Sequence, residues 1–429
     1  MVKYTLIKNA HIVDPAARAA ELGSILVRHA GDGAAGGIEA VWYGAKSPES
    51  LPEWCEAFDA RGALAMPAFI DLHCHLREPG EEEKETISTG TAAAVAGGFG
   101  TVVAMPNTKP PIDNPELLRR VIERAKLWGF CEVLPTAAIT VGQKGRELCD
   151  FDALHEAGAV AFSDDGFPVS DAGLMREALK RCEKRGYLVI SHSEELSLSA
   201  GGVMNEGRTA AALGVKGIPN SAEAVAIARD LILAKETGAR LHIAHVSTKE
   251  GVELIREAKA RGVNVTCETC PHYFSLCDED VMFYGGNAKM NPPLRSRVDV
   301  KAVIDAIADG TIDSISTDHA PHTERQKNCP LPEAKNGIIG LQTAFSAAVT
   351  YLLLPGHIDI FRLCELFSTG PAKILGRTAE IKPGAKCGVT LVNPNREIVI
   401  SRSIIKSKSF NTPFMGMSLY GTVERVVLP

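Results

Sequence analysis

Through the middle of the chain, short apolar runs alternate with stretches whose apolar positions recur at helical spacing. Candidate strands end near His73, Met105, Ala138, Ser163, Ser191, His245, Glu268 and Thr317, and helical spacing runs through residues 115–128, 171–185, 221–237, 248–261 and 298–308. These segments often open on Ser, Asp or Asn, the residues that cap helices. Eight such alternations over about 300 residues predict an α/β fold, a (β/α)8 TIM-type barrel, with a doubly wound open sheet as the weaker alternative. Both ends of the chain read differently. Short strand-like runs at 4–7, 24–28 and 38–43, with a Gly-rich turn at 31–37, match others at 388–392, 397–400 and 422–427. The two ends are expected to form one small β-sandwich, giving residues 1–66 and 378–429 to the sandwich and 67–377 to the barrel.

Composition narrows the class of protein. The chain has 429 residues, of which 45% are hydrophobic, enough for a well-filled core. Its net charge of −6 comes from interspersed acids and bases without a long Lys/Arg cluster, which argues against nucleic acid as a partner. The start of the sequence lacks the pattern of a signal peptide, and no apolar run approaches the roughly 18 to 20 residues of a membrane span, so no membrane partner is expected. The eleven cysteines are scattered and odd in number, which favours reduced thiols and the cytoplasm. Cys267 and Cys270 have metal-site spacing but lie along a strand-like run, where residues three apart face opposite ways; two separate buried thiols are expected.

Chemistry gathers at the strand ends. In a strand His73 and His75 share a face and Cys74 takes the other, so two imidazoles aim at one point, as zinc ligands do. Asp71 lies on the same face and is expected to orient an imidazole, with Arg77 just beyond. A TIM-type barrel keeps its active site at the C-terminal ends of its strands. There this chain places Met105-Pro106-Asn107-Thr108, Ser163-Asp164-Asp165-Gly166, Ser191-His192-Ser193-Glu194, Ala244-His245-Val246-Ser247 and Thr317-Asp318-His319-Ala320-Pro321-His322. Four histidines and two carboxylates suffice for two adjacent cations, zinc fitting best. A hydroxide held between such ions, with an aspartate to move its proton, would hydrolyse a cyclic amide or run the reverse closure. Arg77, Asn107, Asn291 and His322 remain for substrate, the arginine being suited to a carboxylate. Alternation alone does not choose between Asp164 and Asp165.

The run His73-Cys74-His75-Leu76-Arg77-Glu78-Pro79-Gly80, with Met105-Pro106-Asn107-Thr108, Asp164-Asp165-Gly166, Lys289-Met290-Asn291-Pro292-Pro293-Leu294-Arg295, Asp318-His319-Ala320-Pro321-His322 and Asn411-Thr412-Pro413-Phe414, resembles the class I bacterial dihydroorotases of the amidohydrolase superfamily. The likeness covers nearly the whole chain. It implies His73, His75, Asp165, His192, His245 and Asp318 as ligands of one or two zinc ions, Asp165 as the bridge without a carboxylated lysine, and Asp318 also as general acid/base. It implies Arg77, Asn107, Asn291 and His322, with backbone at Asn336 and Gly337, around a small substrate: N-carbamoyl-L-aspartate closing reversibly to L-dihydroorotate in pyrimidine synthesis. A homodimer and association with aspartate carbamoyltransferase are further expectations. Two positions depart from the family pattern: Lys335-Asn336-Gly337 stands where Pro-Phe-Gly is usual, and Ser193 where relatives can carry cysteine. Hydantoinases, dihydropyrimidinases and allantoinases generally bridge with a carboxylated lysine and lack the arginine after His-x-His, and scaffold homologues usually lose metal ligands; Arg77, Asp165 and the complete set of six point away from both. The long segment from His319 to Ile339 is expected to be a mobile lid.

Overall fold

In a computed structural model of the chain, the described residues are 2–31, 35–44, 46, 48 and 50–429. The Gly-rich turn expected at 31–37 lies partly outside them.

Barrel strands run Phe69–Cys74, Phe99–Ala104 and Glu132–Pro135, then Leu188–Ser191, Arg240–Ile243, Val265–Thr269 and Ser314–Ile315, with every pairing among them parallel. The fourth position is held by the segment through Phe162, which bridges Ala137 on one side and Val189 on the other. A parallel bridge from Cys74 to His319 joins the eighth strand to the first and closes the ring. All six residues of the first strand are buried, as a parallel strand covered on both faces requires.

Helices pack outside. Pro115–Trp128, Ala172–Arg185, Ser221–Thr237, Lys249–Ala260 and Arg297–Ala308 fall within a residue of the predicted segments at each end. Asn114, Asp171, Thr248 and Ser296 each accept from the backbone N–H three residues on, satisfying one of the free donors of the first turn. The helix Ile87–Ala96 escapes the apolar pattern because its Ala- and Thr-rich sequence has little contrast between faces. Phe345 and Phe367, from the helical region after the eighth strand, pack on Phe69 with ring centroids 5.5 and 5.1 Å apart and brace the strand that carries His73.

The two ends meet in one sheet. Its seven strands are Tyr4–Asp14, Ala19–Arg28, Gly37–Tyr43, Cys55–Asp59, Leu64–Pro67, Val389–Val399 and Ser418–Val427. Leu64–Pro67 is the hinge of this union, pairing parallel with Tyr4–Asp14 and antiparallel with Val389–Val399. Alternation splits the faces: Ile12, Ala65 and Leu391 enter a core of the sheet's own, while their neighbours Val13, Met66 and Val392 join the main core. No helix is long and apolar enough to cross a membrane, among the described residues. Cys267 and Cys270 are buried and free, and Cys267 donates to the Thr311 carbonyl.

Candidate metal centre and its mouth

Strand ends bring His73, His75, Asp165, His192, His245 and Asp318 into one buried cluster. Asp165 sits at its middle. Its carboxylate lies 3.2 Å from His73 Nε2, 3.5 Å from His75 Nε2, 3.4 Å from His192 Nδ1 and 3.5 Å from His245 Nε2. Asp318 Oδ1 stands 3.1 Å from His75 Nε2 and 3.8 Å from His73 Nε2. Two triads with metal-ligand geometry result, His73/His75/Asp165 and Asp165/His192/His245, each with its ligand atoms within 4.8 Å of one another. Asp165 belongs to both.

In three of the four rings, those of His73, His75 and His192, the second nitrogen is turned outward to a partner. Glu268 accepts from His73 Nδ1 at 3.1 Å, Asn107 Oδ1 from His75 Nδ1 at 2.8 Å, and Glu194 from His192 Nε2 at 3.2 Å. Each bond leaves the inner nitrogen with its lone pair facing the cluster, the tautomer a metal ligand needs. His73 Nε2 and Asp165 Oδ1 are buried without a hydrogen-bond partner among the described residues, as expected of atoms built for an ion. Positive charge is called for as well. Burial alone would favour neutral His73, yet the Asp165 charge holds its pKa well above the ordinary value; the same contest raises His192 to about 10. Burial would raise the pKa of Asp318, but the His75 ring at 3.1 Å and the nearby His73 and His245 rings lower it to about 2. The residues fit a metal.

Three residues at these strand ends carry backbone strain. Arg77, His245 and Asp318 adopt φ of 59°, 37° and 44°, the left-handed region that non-glycine residues seldom enter. At Gly166, φ is 77° and an added Cβ would stand 3.3 Å from Asn107 Nδ2, so glycine lets the chain turn beside Asp165.

Glu268, at the end of the seventh strand, takes the orienting role expected of Asp71. Asp71 instead accepts from Thr317 N–H at 2.8 Å and Thr317 Oγ at 2.6 Å, holding the eighth strand against the first. Strand periodicity places Asp71 on the right face but does not reveal that a neighbouring strand claims its oxygens. Glu268 could have been found as a lone acid closing an apolar strand, and Glu194 as an acid two residues past His192. Asp164 points away from the cluster, accepting from Ile139 N–H at 2.8 Å and Thr140 N–H at 3.1 Å.

The remaining expected residues lie in the loops that follow the first, second, seventh and eighth strands. Arg77 is buried, donates to the Pro321 carbonyl at 3.3 Å and pairs with no carboxylate among the described residues. His322 Nε2 donates to the Asn336 carbonyl at 2.7 Å, while its Nδ1 is buried without a partner among the described residues. Burial, reinforced by Arg77, Lys327 and Lys84, lowers the His322 pKa to about 2, so the ring is neutral and Nδ1 is an acceptor. Asn291 donates to Glu194 at 2.9 Å. Gly337 spends its N–H on the Lys289 carbonyl at 3.0 Å. His319 is fully engaged, with Nε2 3.2 Å from Glu85 and Nδ1 accepting from Gly340 N–H. The segment expected to be a lid is tied down at both ends: Ala320 N–H donates to the Ile338 carbonyl, and Asn411 bonds His322, Ala320 and Gly337.

A closed parallel barrel with a His/Asp cluster at its C-terminal mouth is the layout of a metal-dependent hydrolase. Its fold is that of L-hydantoinase (dihydropyrimidinase) from Arthrobacter aurescens, TM-score 0.86 at 24% identity over 100% of this chain and 96% of that one. Dihydropyrimidinase from Brevibacillus agri gives 0.82 at 22% identity, covering 100% and 94%. A dihydro-orotase-like family model matches residues 62–251. Dihydroorotase from Acetivibrio thermocellus is 46% identical over 97% of this chain and 96% of its own length, and that from Geotalea daltonii 47% over 98% and 97%. The chain belongs to the dihydroorotase family.

Proposed function

We propose that the chain interconverts N-carbamoyl-L-aspartate and L-dihydroorotate, with zinc at one or two positions held by His73, His75, Asp165, His192, His245 and Asp318. The observation that carries this reading is the presence at one mouth of a doubly shared aspartate, Asp165, and a buried guanidinium, Arg77, that pairs with no carboxylate among the described residues. Zinc bound there supplies Lewis acidity, making water nucleophilic near neutral pH and polarising an amide carbonyl. In the hydrolytic direction Asp318 takes a proton from the attacking water and passes it to the ring nitrogen as the carbon–nitrogen bond breaks. In the closing direction the same carboxyl group moves the proton back as water leaves. Arg77 holds the substrate carboxylate, His322 offers Nδ1 as an acceptor, and Asn107 and Asn291 complete the polar wall. A hydantoinase or dihydropyrimidinase reading is the weaker one: the amines of Lys289 and Lys327 are bonded to backbone carbonyls, and neither lies in the cluster. Cytoplasmic pyrimidine synthesis, a homodimer and association with aspartate carbamoyltransferase follow from the family resemblance alone.

Turnover of dihydroorotate by purified protein, lost on chelation and restored by zinc, is the expected result. Full activity in protein shown to be metal-free by elemental analysis would refute it. Arg77→Met is expected to raise KM by one or more orders of magnitude, since removing the partner of a buried charge costs about 2 to 5 kcal/mol. Its melting temperature should barely change. A variant that binds dihydroorotate as tightly as the parent would make Arg77 a structural residue.

A further inference from the structure

Beyond the eighth strand, the short helix Glu324–Lys327 turns a lysine inward until only 2% of it is exposed. Its Nζ donates to three backbone carbonyls: Lys289 at 3.0 Å, Lys335 at 2.7 Å and Gly337 at 2.7 Å. An ammonium has three donors, and all are used. No carboxylate pairs with it among the described residues. Lys289 is nearby, its own amine bonded to the Leu331 and Pro332 carbonyls, and burial reinforced by Lys289 pulls the pKa of Lys327 down, against the three carbonyl acceptors that hold its protons. A buried cation without a carboxylate is costly to keep.

What the cation holds is informative. Three carbonyl oxygens aimed at one point repel one another unless a donor stands between them. The carbonyls come from two segments distant in sequence, one leading into Asn291 and the other flanking Asn336, whose own carbonyl receives His322. Asn411 reaches the same Gly337 carbonyl from the C-terminal segment at 3.0 Å, as a neutral second anchor. We propose that Lys327 is a positioning residue for substrate: its ammonium gathers the Lys289, Lys335 and Gly337 carbonyls and thereby sets Asn291, Asn336 and His322 at the mouth. This deepens the functional reading above and rests on it for the identity of the substrate.

The test compares the zinc-loaded parent with Lys327→Met and Lys327→Gln, measuring KM, kcat, metal content and amide hydrogen exchange over residues 335–338. Lys327→Met is expected to raise KM at least about tenfold with kcat within about threefold, the signature of lost binding without lost chemistry. Metal content should be unchanged and exchange at 335–338 faster. Lys327→Gln, which keeps an amide donor at similar length, should recover part of both losses and serves as the reporter if the methionine variant does not fold. Unchanged KM and exchange in a folded variant would overturn the proposal, as would a fall in kcat accompanied by loss of metal. If the parent itself fails to turn over dihydroorotate, the functional reading falls, while the exchange measurement still judges the Lys327 anchor separately.

Discussion

Asp318→Asn is expected to cut turnover by about 10²- to 10⁴-fold, the usual contribution of a positioned general acid/base. The amide neither accepts the proton of the attacking water nor returns one to the leaving nitrogen. Structure should survive the change. Asp318 holds φ at 44°, and asparagine tolerates the left-handed region better than most side chains, so the backbone of the strand end need not move. The oxygen facing His75 Nε2 at 3.1 Å can be kept by the amide carbonyl. Steady-state kinetics with an unchanged melting curve is the expected pair of results. Near-normal turnover would require another base, and His319 is poorly placed for it, with both nitrogens engaged by Glu85 and Gly340.

Asp165→Ala should strip the centre of metal, whereas Asp164→Ala should not. Asp165 is common to both triads, so its loss removes a ligand from each position at once. Losing even an outer partner of a ligand costs about 10- to 100-fold in affinity. Asp164 does something else: its carboxylate accepts the backbone N–H groups of Ile139 and Thr140, and alanine would leave both buried donors unpaired at about 1–3 kcal/mol each. Metal content after dialysis should therefore fall for the first variant, and melting temperature for the second. A shared aspartate also makes a carboxylated lysine unnecessary, so turnover should be indifferent to added bicarbonate. Recovery of activity with bicarbonate, or a carbamate on a lysine in the pocket, would refute the bridging assignment.

Much of this was legible because barrel strands are short, parallel and buried, so each ends in a brief polar run that stands out from its apolar approach. His73 and His75 could be placed on one face from spacing alone. Helix limits followed from capping residues such as Asn114 and Asp171. What escaped depends on contacts between strands. Nothing local says that Asp71 would be claimed by Thr317 or that Glu268 would reach His73, because each pairing crosses about 200 residues or more of chain. The choice between Asp164 and Asp165 escaped for a different reason, since a turn breaks the two-residue period of the strand. Lys327 was hidden by its chemistry: a lysine in a charged, Pro-containing loop reads as solvated until its three carbonyl partners are seen.

The sheet shared by the two ends has a consequence for the order in which the molecule is made. Leu64–Pro67 leaves the ribosome early, yet its antiparallel partner Val389–Val399 emerges only after the whole barrel has been synthesised. At the usual pace of translation that interval is tens of seconds. For that time the nascent protein carries an open strand edge, the kind of surface on which chains aggregate. Its brevity, four residues closed by Pro67, limits the exposure. The final strands thus act as a latch, sealing an edge that the growing chain must carry until the last segment arrives.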